Sequence, residues 1–424
     1  LPISSGTTGQ PKGVMLTHGN IISNCEGCAR ALPVRSDDTL LSFLPLSHSL
    51  ERMAGYYMAS LFSGATLYFA ESVGRLIQNV AEVKPTLMTG VPRIYEKIHA
   101  RFTAVRHKAN AVKRALLDRA LEVGLQVARL RQEGKTPGAL LALQYKVAYE
   151  QVFGPLTARL GGRVRFFVSG GAPLARDIAE FFLAAGILIL EGYGLTEAAP
   201  VVSVNRPDDF RFGTVGRPLD NVRVRVATDG ELLVKGPNVM LGYWGHDDET
   251  RTAIDAEGWL HTGDIGRLER DGFLRITDRK KDLFKNSGGK YIAPQHIERL
   301  LCASPLIEQA CLVGDNRPYC VALLVPTQEA LDRWSEEAGT TETAAQRVRS
   351  PEAHTQIQRE IDRVNARIER HEAVRAFHLI AEPFTEAEGL LTPSLKLRRR
   401  EVMARHADEI EALFAAGRGR RGGV

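Results

Sequence analysis

The stretch Ser4-Ser5-Gly6-Thr7-Thr8-Gly9-Gln10-Pro11-Lys12-Gly13 is the strongest local signal in the chain. Glycines let backbone N–H groups approach an anion closely, hydroxyls add donors, and a lysine supplies a point charge. The cluster therefore reads as a phosphate-binding loop rather than a surface turn. It lacks the Gly-x4-Gly-Lys-Ser/Thr spacing of a Walker A loop, so another phosphate-binding architecture is indicated. The chain beyond the loop settles the fold class. From residue 14 to about 190, short apolar runs at 39–46, 66–70, 86–89, 164–168 and 187–190 suit buried strands. They alternate with helical stretches at 18–32, 52–62 and 73–83, the pattern of an α/β domain with a largely parallel sheet.

Outward from this core the texture changes twice. Residues 93–160 are polar and helical in period, with a break near 134–138, and read as a helical insertion. After Asn221 short strands dominate, and Asp229-Gly230 and Asp271-Gly272 are hairpin signatures. From about Lys280 a small α+β unit begins, with a helix at 293–301, strands at 310–313 and 321–325, and a long helix at 350–371. Residues 338–345 read as a surface loop.

Bulk properties narrow the class. The 424 residues are 44% hydrophobic and 25% charged, which excludes disordered, collagen-like and disulfide-scaffold chains. That length suits two or three domains at roughly 150 residues each. Lys+Arg 55 against Asp+Glu 50 leaves +5, too mild to call for a nucleic acid partner. Five cysteines, an odd number, point to reduced thiols and a cytoplasmic setting. No apolar stretch reaches the ~20 residues of a membrane span, and no signal peptide is visible. The chain starts at Leu1 and enters the glycine loop at once, so an N-terminal portion is expected to precede it.

Four further motifs give the loop its context. They are Glu191-Gly192-Tyr193-Gly194-Leu195-Thr196-Glu197 and Gly258-Trp259-Leu260-His261-Thr262-Gly263-Asp264. Then come Asp278-Arg279-Lys280-Lys281-Asp282, followed by Ser287-Gly288-Gly289-Lys290, and finally Leu391-Thr392-Pro393-Ser394-Leu395-Lys396. In this order the set resembles the AMP-forming adenylating enzymes: acyl-CoA synthetases, luciferases and peptide-synthetase adenylation domains. The resemblance covers nearly the whole chain. It implies a large multi-layer α/β/β domain over 1–280 with mainly parallel sheets, the insertion at 93–160 and a small β-rich part at 221–280. A mobile α+β C-terminal domain would occupy 281–424.

The chemistry it implies is carboxylate activation. A carboxylate is a poor electrophile, so attack on the α-phosphate of ATP must first expel pyrophosphate and leave an acyl-adenylate. That step needs cations and N–H donors against spreading phosphate charge, together with Mg²⁺. By resemblance, Ser5, Gly6, Thr7, Thr8, Gly9 and Lys12 cradle the phosphates, Glu197 offers a hard oxygen to Mg²⁺, and Thr196 meets a phosphate oxygen. Tyr193 lies against adenine with Gly170, Gly171 and Ala172 opposite. Asp264 accepts from the ribose hydroxyls, and Arg279 donates to ribose or phosphate. Lys396 is the catalytic lysine; taken alone, it would be one more lysine in a basic stretch. Lys281 is the hinge, and Gly288-Gly289 borders the path of the CoA thiol.

Pro45-Leu46-Ser47-His48-Ser49-Leu50-Glu51-Arg52, with His48 beside the acyl pocket, resembles the long-chain fatty acid branch. So do Met88-Thr89-Gly90-Val91-Pro92-Arg93, the insertion, and the Ser394-Leu395 pair before the last lysine. The implied activity is a long-chain fatty acid–CoA ligase. One rival is an adenylating ligase for aryl or short-chain acids, or one that loads a carrier protein. A second rival, of another class, is a non-catalytic acyl- or nucleotide-binding relative. Two signals are set aside. Cys25 and Cys28 form a lone CxxC on an apolar helix face, without the second pair that zinc needs. Arg398-Arg399-Arg400 reads as a solvated helix start and, more weakly, as a peripheral contact for anionic lipid at the inner membrane surface.

Overall fold

The computed structural model describes residues 12–280, 283–338, 343–392 and 397–419. The described residues divide into two compact units, one of 12–262 with 266–276 and one of 263–265 with 277–419. The first is organised by a seven-stranded sheet, ordered Thr66–Phe69, Thr39–Ser42, Leu87–Gly90, Phe166–Ser169, Ile189–Gly194, Val201–Val204, Arg217–Pro218. Its first five strands run parallel; the sixth pairs antiparallel with the fifth, and the seventh antiparallel with the sixth.

Each central strand carries two apolar residues in succession, one for each face. Leu40, Leu87, Phe166 and Leu190 join the core under helix His18–Ala31 and the π-helical segment Arg52–Phe62. Their neighbours Leu41, Met88, Phe167 and Ile189 join the opposite core with Leu76, Phe181 and Phe182. Burial on both faces explains why these strands read as short continuous apolar runs. The segment expected to be helical forms Pro92–Lys108, Ala111–Gln132, Ala139–Ala148 and Gly154–Arg159, with the break after Gln132.

Helix His18–Ala31 starts on Thr17, whose hydroxyl and the Asn20 side chain exchange bonds with each other's backbone. Cys25 and Cys28 face its core, and Cys25 Sγ lies 4.0 Å from Met53 Sδ. Burial pushes the Cys25 thiol up to about 11, so both cysteines act as packing groups.

The N-terminal ends of three parallel strands meet at Asp38, which is 2% exposed. Its carboxylate accepts from Thr86 Oγ1 at 2.7 Å, from the Arg35 amide at 2.8 Å and from the Arg165 guanidinium. Burial alone would raise this carboxyl, but those donors outweigh it and hold it below the usual range. Asp38→Ala is expected to destabilise the fold by about 3 kcal/mol at neutral pH, since Arg165 and Thr86 lose a buried acceptor. The contribution is present above an unfolded value of roughly 3.9 and is lost as pH falls through the depressed folded value. Denaturant unfolding at pH 7 and pH 3 checks this: the gap between wild type and variant should narrow in acid.

A four-stranded sheet, ordered Leu274–Arg279, Leu260–Leu268, Glu231–Lys235, Arg223–Val226, forms the β-rich part. In the second unit Ile307–Val313, Cys320–Pro326 and Val374–Leu379 form one sheet, antiparallel then parallel. Helices Pro294–Cys302 and Pro351–Asn365 share one of its cores, while Val402 and Phe414 belong to the other.

Several details differ from the sequence reading: the loop expected at 338–345 is bounded by helix Gln328–Ala338 and helix Ala344–Arg347, which take up 338, 344 and 345. The long helix stops at Asn365 rather than near 371, because the Asn365 side chain bonds the backbone of Val374 in both directions, at 3.0 and 2.9 Å. Arg399 is not a solvated charge. It grips Glu298 with two nitrogens at 2.6 and 2.9 Å and donates to the Leu312 carbonyl at 2.8 Å. No helix among the described residues is long and apolar enough to cross a membrane.

Candidate active site

The Thr196-Glu197 turn lies where the sheet changes from parallel to antiparallel. Strand Ile189–Gly194 leads into a single 3₁₀ turn, Thr196–Ala198, and Ala199 comes next at φ 61°. A Cβ on Gly194 would lie 2.2 Å from the Pro200 carbonyl oxygen, so only glycine permits the hairpin to close this tightly. Three contacts from one segment then hold the turn. Met240 N donates to Glu197 O at 2.9 Å, Asn238 Nδ2 donates to Ala198 O at 2.9 Å, and Tyr243 Oη donates to Glu197 Oε1 at 2.9 Å. Asn20, on the helix after the glycine loop, holds the same segment through the carbonyls of Pro237 and Val239 at 2.7 and 2.9 Å.

Lys12 reaches the same tyrosine. Its Nζ lies 4.9 Å from the centre of the Tyr243 ring and 3.7 Å from Glu249 Oε1. The next strand, Val14–Met15, pairs antiparallel with Gly242–Tyr243. One tyrosine thus touches both the lysine of the loop and the glutamate of the turn.

The His48 segment abuts the same region. His48 caps a short helical turn, with Nδ1 accepting from the Leu50 amide at 3.3 Å. Ser49 Oγ lies 3.3 Å from Thr196 Oγ1, and a Cβ on Gly170 would lie 3.2 Å from Leu50. Glu51 is 1% exposed and accepts from Thr89. Burial raises its carboxyl against the hydrogen bonds from Ser42 and Thr89. Gly170, Gly171 and Ala172 come directly after strand Phe166–Ser169, with Gly171 at φ 81°. This loop is pinned by buried Glu191, whose Oε2 accepts from the Leu174 amide at 3.0 Å. Tyr193 sits opposite Ser203 in the antiparallel pair.

In the second unit Arg279 Nε donates to Asp264 Oδ1 at 3.0 Å, and Asp264 is 4% exposed. Gly288 and Gly289 lie in the turn between strands Phe284–Lys285 and Tyr291–Ile292. Asn286 Oδ1 accepts there from the amides of Gly288 and Lys290, both at 3.0 Å. Ser5, Gly6, Thr7, Thr8, Gly9, Lys281 and Lys396 lie outside the described residues.

Residues 1–244 match the family described as AMP-binding enzyme, and residues 281–418 match the AMP-binding enzyme C-terminal domain. The chain belongs to the AMP-binding enzyme family. This AMP-binding enzyme is 38% identical to the long-chain-fatty-acid–CoA ligase FadD15 of Mycobacterium bovis, over 97% of its own length and 68% of the relative's. It is 33% identical to the human long-chain-fatty-acid–CoA ligase 6, over 97% of its length and 60% of the relative's. Among solved structures, the adenylation domain of a carboxylate reductase from Mycobacterium chelonae aligns at a TM-score of 0.74. That alignment has 25% identity and covers 98% of this chain and 60% of that one. The fold is likewise that of the O-succinylbenzoate coenzyme A synthetase of Bacillus subtilis in complex with AMP. That TM-score is 0.63, with 22% identity over 94% and 67% of the two chains.

Sequence reasoning on this AMP-binding enzyme overlooked Tyr243, Asn238, Asn20 and Glu191. The first residue of the Glu191 motif could have been questioned as a buried acid within an apolar strand. Tyr243 offers no local signal, since its partner Glu197 is 46 residues away.

Proposed function

We propose that this AMP-binding enzyme activates a long-chain fatty acid with ATP, releasing pyrophosphate, and then transfers the acyl group to CoA with release of AMP. The observation that carries the reading is the 38% identity, over 97% of the chain, to a ligase of that name. The Thr196-Glu197 turn and Lys12, joined through Tyr243, supply a carboxylate, a hydroxyl and an ammonium in one assembly, which suits a polyphosphate.

Each residue then has a task. The hydroxyls and N–H groups of Ser5, Gly6, Thr7, Thr8 and Gly9, with Lys12, bear the β- and γ-phosphate charge, and Thr196 meets an α-phosphate oxygen. Tyr193 covers one face of adenine, with Gly170, Gly171 and Ala172 on the other. Asp264, oriented by Arg279, accepts from the ribose hydroxyls. Lys396 neutralises charge building between carboxylate and α-phosphate. His48 borders the acyl group, and Gly288-Gly289 borders the CoA thiol. We further propose that residues 1–280 act as the catalytic body and 281–424 as a lid hinged at Lys281.

The donor set at Glu197 fits Mg²⁺. Magnesium is held by one or two carboxylates plus substrate phosphates and water, not by an all-protein cage. Among the described residues no group of three His, Cys, Asp or Glu side chains could form such a cage, while Glu197 presents a carboxylate. When bound, Mg²⁺ neutralises the developing phosphate charge. For location we favour the cytoplasm, with exposed Arg398 and Arg400 available to anionic headgroups.

The test is product stoichiometry on the full-length protein with a long-chain acid, ATP, Mg²⁺ and CoA. One pyrophosphate and one AMP should appear per acyl-CoA, and pyrophosphate should form in a single turnover without CoA. Release of ADP and phosphate instead would refute the adenylate route.

A further inference from the structure

Tyr243 is held on every side. Its strand is in register with the one after Lys12, Val14 opposite Tyr243 and Met15 opposite Gly242. Its amide donates to Thr250 Oγ1 at 2.8 Å. A Cβ on Gly242 would lie 2.6 Å from Thr250 Cγ2, so the approach leaves no slack. From this seat the hydroxyl donates to Glu197 Oε1, and among the described residues no other side chain bonds that carboxylate. The ring face carries the Lys12 ammonium, which also lies 3.7 Å from Glu249 Oε1.

We propose that Tyr243 is a positioning residue that couples the two halves of the phosphate site, its hydroxyl aiming the Glu197 carboxylate at a phosphate-bound Mg²⁺ and its ring seating Lys12. The inference rests on the reading of Glu197 as a magnesium-binding residue. A bond to Oε1 fixes the rotation of the carboxylate and leaves Oε2 for a hard cation. Magnesium demands near-ideal octahedral geometry, so a freely turning carboxylate binds it less well. Partners that orient a ligating carboxylate typically contribute 10–100-fold in metal affinity. A phenol O–H is a donor, and it lies 2.9 Å from Glu197 Oε1. The ammonium over the ring is an electrostatic contact with the π face, independent of the hydroxyl. The two parts of the side chain therefore do separable work.

Tyr243→Phe removes the hydroxyl and keeps the ring; Tyr243→Leu removes both. The probe is Mn²⁺, monitored by its electron paramagnetic resonance signal, binding to full-length protein with a non-hydrolysable ATP analogue and no fatty acid. Mg²⁺ dependence of adenylate formation is measured in parallel. Tyr243→Phe should weaken Mn²⁺ about 10-fold and shift the Mg²⁺ half-saturation similarly, with metal-free analogue affinity and thermal midpoint unchanged. Tyr243→Leu should additionally weaken the metal-free analogue, through Lys12. Glu197→Gln separates the two claims. If it weakens Mn²⁺ while Tyr243→Phe binds Mn²⁺ as wild type does, Tyr243 merely packs the strand and the inference falls. If Glu197→Gln also binds Mn²⁺ normally, the magnesium reading of Glu197 falls and takes the inference with it.

Discussion

Replacing Lys396 by alanine is expected to slow acyl-adenylate formation about 10²–10³-fold, or roughly 3–4 kcal/mol, the loss typical of one oxyanion donor. The reason lies in where charge gathers. As the fatty acid carboxylate attacks the α-phosphate, negative charge concentrates on the oxygens around the new bond. A lysine contact there is stronger in the transition state than in the bound substrates, which is the condition for acceleration. Binding of ATP should therefore change little. Once the adenylate exists, attack of the CoA thiol no longer needs that charge, so thioester formation from preformed acyl-adenylate should suffer much less. Rapid-quench measurement of each half-reaction, on full-length protein, separates the two. Equal losses in both would remove Lys396 from its assigned step.

Lys281→Pro should have the opposite signature: adenylate still forms, but transfer to CoA falls by about 10²-fold, the scale of a misplaced reacting group. Pyrophosphate and the CoA thiol approach the reacting centre differently, and one site has to serve both in turn. We assign that change to a hinge at Lys281, two residues past Arg279. Hinges absorb a large φ/ψ change at very few positions. Proline locks φ near −65° and removes an N–H, so it leaves one setting of such a hinge and forbids the other. The same pair of single-turnover assays reads the effect. Wild-type transfer by Lys281→Pro would place the pivot elsewhere and with it the boundary between 280 and 281.

Both predictions rest on residues whose roles come from motif resemblance, and the contrast with the rest of the molecule is physical. Strands such as Thr39–Ser42 were legible because successive apolar residues, Leu40 and Leu41, must serve two cores. The helices between Pro92 and Arg159 were legible from their period and the break after Gln132. Neither property depends on distant partners. The features that escaped the sequence depend on them entirely. Arg399 looked solvated within a basic run, but its partner Glu298 is 101 residues away. The end of helix Pro351–Asn365 is set by an asparagine side chain bonding a strand, not by a helix-breaking residue. In the site, Thr196 and Glu197 were legible as a motif. Tyr243, whose hydroxyl bonds Glu197 and whose ring carries Lys12, was not.

That a long aliphatic acid is the substrate is tested most directly by one measurement. A panel of straight-chain acids of graded length, with aryl acids beside them, is assayed for pyrophosphate release by the full-length protein with ATP, Mg²⁺ and CoA. Each methylene taken out of water is worth about 0.8 kcal/mol, so kcat/KM should climb by up to roughly fourfold per added carbon until the acyl pocket is filled. The climb is expected to continue into the long-chain range, with aryl acids far below it. A maximum at short or aryl acids would contradict the assignment.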